Sequence, residues 1–153
     1  MPVALFTDPA RALNVYRFRP VVSAEDLRRV AEAIREAKFD RTFNELVWYD
    51  ANEVRISFEP GDLVRFAHYI SGMQNMLPHG LRRRSAIVGG RSSDDAMAQA
   101  FITFFPQDDK ARTQYRVFRD MDEALAWLDR PGPVDVGAMQ LILDSRLPQA
   151  GAA

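Results

Sequence analysis

Residues 117–128, with the sequence VFRDMDEALAWL, constrain the fold most because a β-prone run passes directly into a capped helix. Asp120 and Glu123 lie where side chains cap a helix N-terminus. Ala124, Leu125 and Leu128 then recur at the spacing of one helix face. A strand followed at once by a helix is the repeating unit of α/β domains, so this segment predicts that class.

The same alternation extends through the earlier part of the chain. Continuous apolar runs at residues 46–49 and 85–88 are typical of strands that are buried on both faces of a parallel sheet. Capped or proline-initiated helices are predicted to start at Ser23, Pro60 and Ser92. Strands that alternate with helices imply right-handed crossovers and therefore a mostly parallel sheet.

The N-terminus differs from this pattern. Residues 3–6 and 13–18 are two β-prone runs separated by the turn-forming residues 7–11, which predicts an antiparallel hairpin. Residues 115–118 show more polar alternation and are predicted to form an edge strand. The predicted fold class is α/β: one domain with a mixed, mostly parallel sheet of about five strands, covered by four or five helices.

The domain is predicted to span residues 1–133, and residues 134–153 are predicted to form a C-terminal extension. Val136, Met139 and Leu143 favour a short helix there, whereas residues 139–143 would also serve as a strand. The helix is preferred, followed by a frayed tail.

Composition excludes several classes of protein. The chain has no cysteine, so disulfides, thiolate nucleophiles and cysteine-ligated metals are excluded. Its 20 basic and 21 acidic side chains give a net charge of −1, which provides no global field for nucleic acid. No apolar stretch approaches the ~20 residues of a membrane span, and a signal peptide is not evident. We therefore expect a cytoplasmic protein that has no cofactor, metal, nucleic-acid partner or membrane span.

Four segments together resemble a known family. They are YRFRPVVSAEDL at residues 16–27, LVWYD at 46–50, RSAIV at 84–88 and VFRDMDEALAWL at 117–128. In this order they resemble the bacterial STAS-like family, which is related to the anti-sigma-factor antagonists. The resemblance covers about residues 3–130. It implies a STAS-like sheet-and-helix domain that binds partners or small ligands and has no recognised catalytic residues.

The chain departs from the family at the regulatory serine. True antagonists carry a phosphorylatable serine in an Asp-Ser-Ser-Gly-like turn at the start of the helix after the second central strand. Here residues 50–61 contain a lone Ser57 and no such turn. We therefore expect no phosphorylation switch at Ser57.

Ligands of parallel sheets collect beyond the carboxyl ends of the strands. The candidate ligand-binding residues at that edge follow two predicted strands and are Asp50, Asn52, Gly89, Gly90, Arg91, Ser92 and Ser93. The two glycines would let backbone amides approach an anion, and Arg91 would add a charge. The alternative is an ordinary turn followed by a helix cap.

Other polar and aromatic residues leave alternatives open. The run Arg82-Arg83-Arg84 could contact a phosphate or an acidic partner, or could form a solvated approach to a strand. His68 and His79 are expected on the surface, without a metal. Phe105 and Trp127 are the best candidates for an exposed apolar patch, whereas Phe101 and Phe104 are expected in the core.

The leading functional hypothesis is a non-enzymatic regulatory or protein-interaction module. The alternative is a domain that binds a small anionic, lipid or nucleotide-like ligand with the loops after the central strands. A homodimer through the segment after Pro133, together with Phe105 and Trp127 of the preceding helices, is also expected, because apolar residues continue past the predicted domain. Docking of that segment on the sheet edge beside residues 115–118 is the equally weighted alternative.

Overall fold

The computed structural model describes residues 3–18, 21–36, 39–49, 55–57, 59–89, 98–105, 112–130 and 132–144. Eight strands lie within these ranges: β1 (Val3–Asp8), β2 (Leu13–Phe18), β3 (Val21–Ser23), β4 (Asn44–Tyr49), β5 (Arg55–Ser57), β6 (Arg83–Val88), β7 (Thr113–Phe118) and β8 (Gln140–Asp144). The helices are α1 (Ala24–Arg35), α2 (Pro60–Gln74), the helical residues 98–102, called α3, and α4 (Met121–Trp127). One turn of 3₁₀ helix, Val136–Ala138, precedes β8.

Six strands form one mixed sheet in the order β7-β6-β4-β2-β1-β8. β2, β4, β6 and β7 run parallel to one another, whereas β1 is antiparallel to both β2 and β8. β3 and β5 pair separately in a short parallel ladder. The predicted α/β class, the N-terminal hairpin and the edge position of β7 are confirmed. The main sheet has six strands rather than about five.

The helix starts follow from local side-chain chemistry. The Ser23 hydroxyl accepts from the Asp26 backbone N–H, and the Asp26 carboxylate accepts from the Ser23 backbone N–H at 2.8 Å. This reciprocal pair satisfies two N–H groups that the first turn of α1 leaves free. Asp120 caps α4 in the predicted way, because its carboxylate accepts from the Asp122 N–H at 2.9 Å.

Helices cover both faces of the sheet. On the face called here the α4 side, α4 packs on a buried cluster that includes Leu13, Leu46 and Ala86. On the opposite face, called the α2 side, one cluster contains α1 residues such as Leu27 and Val30. A second cluster on that side brings together side chains of α2 and α3 with Ile87 and Tyr115.

The helix preferred for the C-terminal segment is wrong, and the alternative strand is observed. Gln140–Asp144 pairs antiparallel with β1, so the sheet includes residues beyond the predicted boundary at 133. The expected docking edge beside residues 115–118 is wrong, since β8 lies beside β1 and β7 lies at the opposite edge. β8 pairs with the backbone N–H and C=O groups on the side of β1 that faces away from β2. Sequence periodicity does not reveal this pairing.

Pairing with β1 also accounts for most of the apolar residues after Pro133. Val134, Val136 and Met139 pack on the α4-side cluster, and Ile142 and Leu143 pack on the α1 cluster. Leu141 remains 46% exposed. The homodimer stays a prediction, which light scattering of the full chain tests.

Two expectations about phenylalanines are wrong. Phe105 is buried and Phe104 is 40% exposed. The helical part of this segment ends at residue 102, so the helical spacing no longer applies to the two side chains. After the turn, Phe105 lies in the core and Phe104 lies at the surface. The Phe105 ring then lies 4.8 Å from the ring of Tyr115. Trp127 is half-buried, with its ring 5.5 Å from that of Phe118.

Among the residues in these ranges, no helix is both long and apolar enough to cross a membrane.

Candidate functional site

Most of the predicted ligand-binding residues lie outside the described part of the chain. These are Asp50, Asn52, Gly90, Arg91, Ser92 and Ser93. The structure therefore does not test whether they come together, and anion binding by that loop stays a prediction.

Gly89 is the predicted site residue that the structure describes. It is buried at the carboxyl end of β6, and its N–H donates to the Phe118 carbonyl at 3.2 Å. This amide extends the β6–β7 ladder. This N–H is consequently bonded within the sheet, and ligand binding at Gly89 stays a prediction.

An arginine-rich depression of about 480 Å³ lies at the amino ends of the parallel strands, opposite the carboxyl ends where Gly89 lies. It lies where β4, β6 and β7 begin and where α4 ends. Its lining residues are Asn44, Arg82, Arg83, Arg84, Gln114, Leu128, Asp129 and Arg130. We call this the amino-edge depression. Sequence analysis identified its arginine run, 82–84, but not its location.

Asn44 and Arg84 join β4, β6 and α4 at one wall of the depression. The Asn44 side-chain oxygen accepts from the Arg84 backbone N–H at 2.9 Å, and its amide donates to the Leu128 carbonyl at 3.1 Å. The Arg84 guanidinium donates to the Trp127 carbonyl at 2.5 Å and lies 5.4 Å from the Trp127 ring centre. Both side chains therefore cap carbonyl groups that the last turn of α4 leaves free.

The end of α4 forms a Schellman motif. The Arg130 N–H donates to the Leu125 carbonyl, and the Asp129 N–H donates to the Ala126 carbonyl. Asp129 has a φ of +56°, the left-handed conformation in which glycine is the usual residue at this position.

A clamp of two arginines holds this end of α4 to the β1–β2 turn. The Arg11 guanidinium donates to the Arg130 carbonyl at 2.7 Å and to the Pro133 carbonyl at 3.0 Å. In return, the Arg130 guanidinium donates to the Arg11 carbonyl and, at 2.7 Å, to the Asp129 carbonyl. The position of Arg130 is thereby fixed from two sides.

Arg83 forms the floor of the depression and is buried on the α2 side of the sheet. It forms an ion pair with Glu45 at 2.5 Å, and it donates to the Thr113 hydroxyl and to the Arg41 carbonyl, both at 2.8 Å. Burial has the largest single effect on the pKa of Arg83 and lowers it, but the electrostatic effects of Glu45, Tyr115 and Tyr16 together outweigh burial, and the pKa is raised overall. This arginine is a structural anchor, whereas its two neighbours in sequence are exposed.

Two residues further along β6 than Arg83, buried polar side chains form one row across the sheet. The strand registers place Thr7, Asn14, Glu45, Ser85 and Tyr115 next to one another in that order. The Thr7 hydroxyl and the Asn14 side-chain oxygen are buried without a hydrogen-bond partner in the described residues. Such groups are costly unless water reaches them.

Tyr115, in this row, and Tyr16, beside it on β2, both have a raised pKa. Burial raises the pKa of Tyr16 well above its usual value, and the charge of Glu45 adds to the shift. Burial also raises the pKa of Tyr115, which accepts a hydrogen bond from Gln74 at 2.5 Å. Both side chains are therefore neutral donors or acceptors at physiological pH.

The histidines lie on the surface as expected. The His68 ring is 6.1 Å from that of Phe104, and the His79 Nδ1 is 3.3 Å from an Arg112 guanidinium nitrogen. In the described ranges, no group of three histidine, aspartate or glutamate side chains is arranged to hold a metal ion.

Sequence reasoning missed most of the amino-edge depression. Asn44, Gln114 and Arg130 come from three separate elements, and no motif connects them. The signals that could have found them are polar residues at the first positions of adjacent parallel strands and a basic residue just after a helix.

Comparison with known proteins gives a match in structure. No protein-family model matches the chain, and no curated protein is similar to it in sequence. The structure is similar to the crystal structure of an uncharacterized protein from the DUF3478 family, with a SpoIIAA-like fold, from Shewanella loihica PV-4. The two are 16% identical with a TM-score of 0.50, and the match covers 83% of this chain and 94% of that chain. The chain therefore has a SpoIIAA-like fold, which confirms, at the level of the fold, the STAS-like resemblance of its sequence.

Proposed function

We propose that the protein is a non-enzymatic regulatory module that acts by binding a partner protein through the surface around Phe104 and His68. The observation that carries the proposal is the exposed aromatic pair at this surface. Phe104 is 40% exposed, and its ring lies 6.1 Å from that of the exposed His68 on α2. Phe101 and Phe105 already supply the aromatic contacts of the core, so the fold does not require the Phe104 ring.

The charged side chains around the amino-edge depression favour binding over acid–base catalysis. The charged groups around the amino-edge depression are arginines and one aspartate. Arginine stays protonated and cannot act as a general base at physiological pH. The SpoIIAA-like fold supports the same view only by analogy, since one fold hosts many functions.

A large aromatic side chain that becomes buried in an interface is a typical hot spot. We therefore expect Phe104→Ser to weaken binding of the partner by about 2 kcal/mol or more, because the ring would no longer be removed from water. Met76→Ser is the matched control, since Met76 is also apolar and is 71% exposed.

The partner is first identified by comparing the proteins retained from a cell extract by the wild type, Phe104→Ser and Met76→Ser. It is then purified, and its dissociation constant for each variant is measured by calorimetry. Selective loss with Phe104→Ser supports the proposal, provided that thermal unfolding is unchanged. Equal affinity for all three proteins, or no direct binding by any purified candidate, would contradict it.

A further inference from the structure

We infer that the amino-edge depression binds a small ligand that carries a diphosphate or an equivalent doubly charged oxyanion. This site is separate from the Phe104 surface and lies at the opposite edge of the sheet from the predicted loop site. Three features carry the inference: an excess of positive charge, guanidinium groups that are already held in place, and a concave shape.

The charge excess comes from Arg82, Arg84 and Arg130. Within the described ranges, the guanidinium groups of these three residues donate only to backbone carbonyls and form no ion pair. Carbonyl groups are neutral, so the positive charges remain uncompensated except by the exposed Asp129. The helix dipole at the end of α4 contributes only about half a negative charge. A net positive charge therefore faces the depression.

The arginines at its walls are fixed before any ligand arrives. Arg84 is held by the Trp127 carbonyl, and Arg130 is held by the carbonyls of Arg11 and Asp129. Each of these contacts uses one or two of the five N–H donors of a guanidinium group. The remaining donors can meet an oxyanion at a small cost in side-chain entropy.

The orientation of Arg83 determines where its two neighbours in the arginine run point. Arg83 points into the α2 side of the sheet, where Glu45 neutralises it. Because side chains alternate along a strand, Arg84 points to the α4 side, where α4 ends. The exposed Arg82 precedes the strand, and its one hydrogen bond within the described ranges joins a guanidinium nitrogen to the Leu81 carbonyl at 3.4 Å.

The size and donor set indicate the class of ligand. A volume of about 480 Å³ is in the range of small-molecule sites. Each guanidinium group can donate two parallel bonds to an oxyanion. Several such groups around one depression match a diphosphate better than a single carboxylate, because a diphosphate offers more oxygens and more negative charge. Gln114 and Asn44 add amide groups that can orient the rest of the ligand.

Calorimetric titration with sodium diphosphate at low ionic strength tests the inference, because salt screens such contacts. We expect Arg82→Gln to weaken binding about fivefold or more, because one charge-assisted contact is lost. Arg82→Glu should weaken binding further, because its negative charge repels the anion. Arg82 makes no contact that the fold needs, so both variants should unfold like the wild type. Arg65→Gln is the control, because it removes one charge from a side chain that is 75% exposed on α2.

Two further titrations, with acetate and with lipid vesicles, test which anion the depression binds. Acetate should bind about tenfold more weakly than diphosphate or worse, because it offers a single charge. Vesicles of phosphatidic acid distinguish a lipid headgroup from a free phosphate as the source of the group. Vesicle binding with no response to free diphosphate, equal affinity of the wild type and Arg82→Glu for diphosphate, or equal affinity for acetate and diphosphate would overturn the inference.

Discussion

Ala12 and Asp129 adopt φ values of +50° and +56° on the two sides of the contact between the β1–β2 turn and the end of α4. Aspartate tolerates this conformation, whereas alanine meets a steric conflict at its Cβ. The Arg11–Arg130 clamp holds both segments in place. Local strain is therefore retained next to the amino-edge depression, where backbone strain often accompanies function.

We expect Ala12→Gly to raise the free energy of unfolding by about 0.5–1 kcal/mol, because relief of the left-handed strain exceeds the entropy that glycine loses on folding. Urea denaturation measures the change. Ala10→Gly, in the same turn but without a positive φ, is the control and should be neutral or destabilising. A loss of stability in Ala12→Gly would show that the turn is not strained.

The buried ion pair of Glu45 and Arg83 should be far more sensitive than surface pairs. Arg83→Met should lower the free energy of unfolding by about 3–5 kcal/mol, because it leaves the Glu45 carboxylate buried without its partner. The double variant Glu45→Gln, Arg83→Met should recover part of the loss. Arg28→Met removes an exposed pair with Glu25 and should have a much smaller effect. Equal losses for Arg83→Met and Arg28→Met would contradict the buried pair.

The raised pKa values of Tyr16 and Tyr115 predict the response to alkali. The chain has four tyrosines, and these two should stay neutral in the folded protein well above the usual pKa of about 10. The unfolded state loses these protons first, so stability should fall as the pH rises above about 10 and should be unaffected by these groups below it. Ultraviolet titration should show at most two tyrosines ionising before unfolding. Ionisation of all four in a folded chain would contradict the burial.

At the level of elements, β8 shows where sequence reasoning stops. The continuous apolar runs of β4 and β6 predict their strands correctly because both faces are buried, and the capping patterns predict the starts of α1 and α4. The apolar spacing of Val136, Met139 and Leu143 favours a helix, although residues 139–143 also fit a strand. The free edge of β1 decides between them, and only the assembled sheet contains that edge.

The pairing of β8 with β1 makes a specific prediction for its leucines. Leu143 lies opposite Leu5 and packs on the α1 cluster, whereas Leu141 is 46% exposed. Leu143→Ala should lower the free energy of unfolding by about 1–2 kcal/mol, which is less than for a fully buried leucine. Leu141→Ala should change it by less than about 0.5 kcal/mol. Thermal or urea unfolding measures both, and the reverse order would mean that the strand register is wrong.

At the level of the whole molecule, the fold was more predictable than the site. The alternation of strands and helices is a local signal, so the α/β class follows from it, and the STAS-like resemblance rests on four segments of the sequence. The amino-edge depression is assembled from Asn44, Gln114, the arginine run and the end of α4, which are distant in sequence. The general rule for parallel sheets points to the carboxyl ends of the strands, and the loop site predicted there stays a prediction, because most of its residues lie outside the described part of the chain.

The central claim is that this SpoIIAA-like domain binds an anion at the amino edge of its sheet. The most direct test is a titration of the ¹⁵N-labelled protein with sodium diphosphate, followed by two-dimensional NMR. The largest shifts in amide resonances are expected at Asn44, Arg82, Arg84, Gln114 and Arg130, and Gly89 should remain unchanged. Shifts centred on Gly89 and residues 90–93, or no saturable shift at millimolar diphosphate, would contradict the claim.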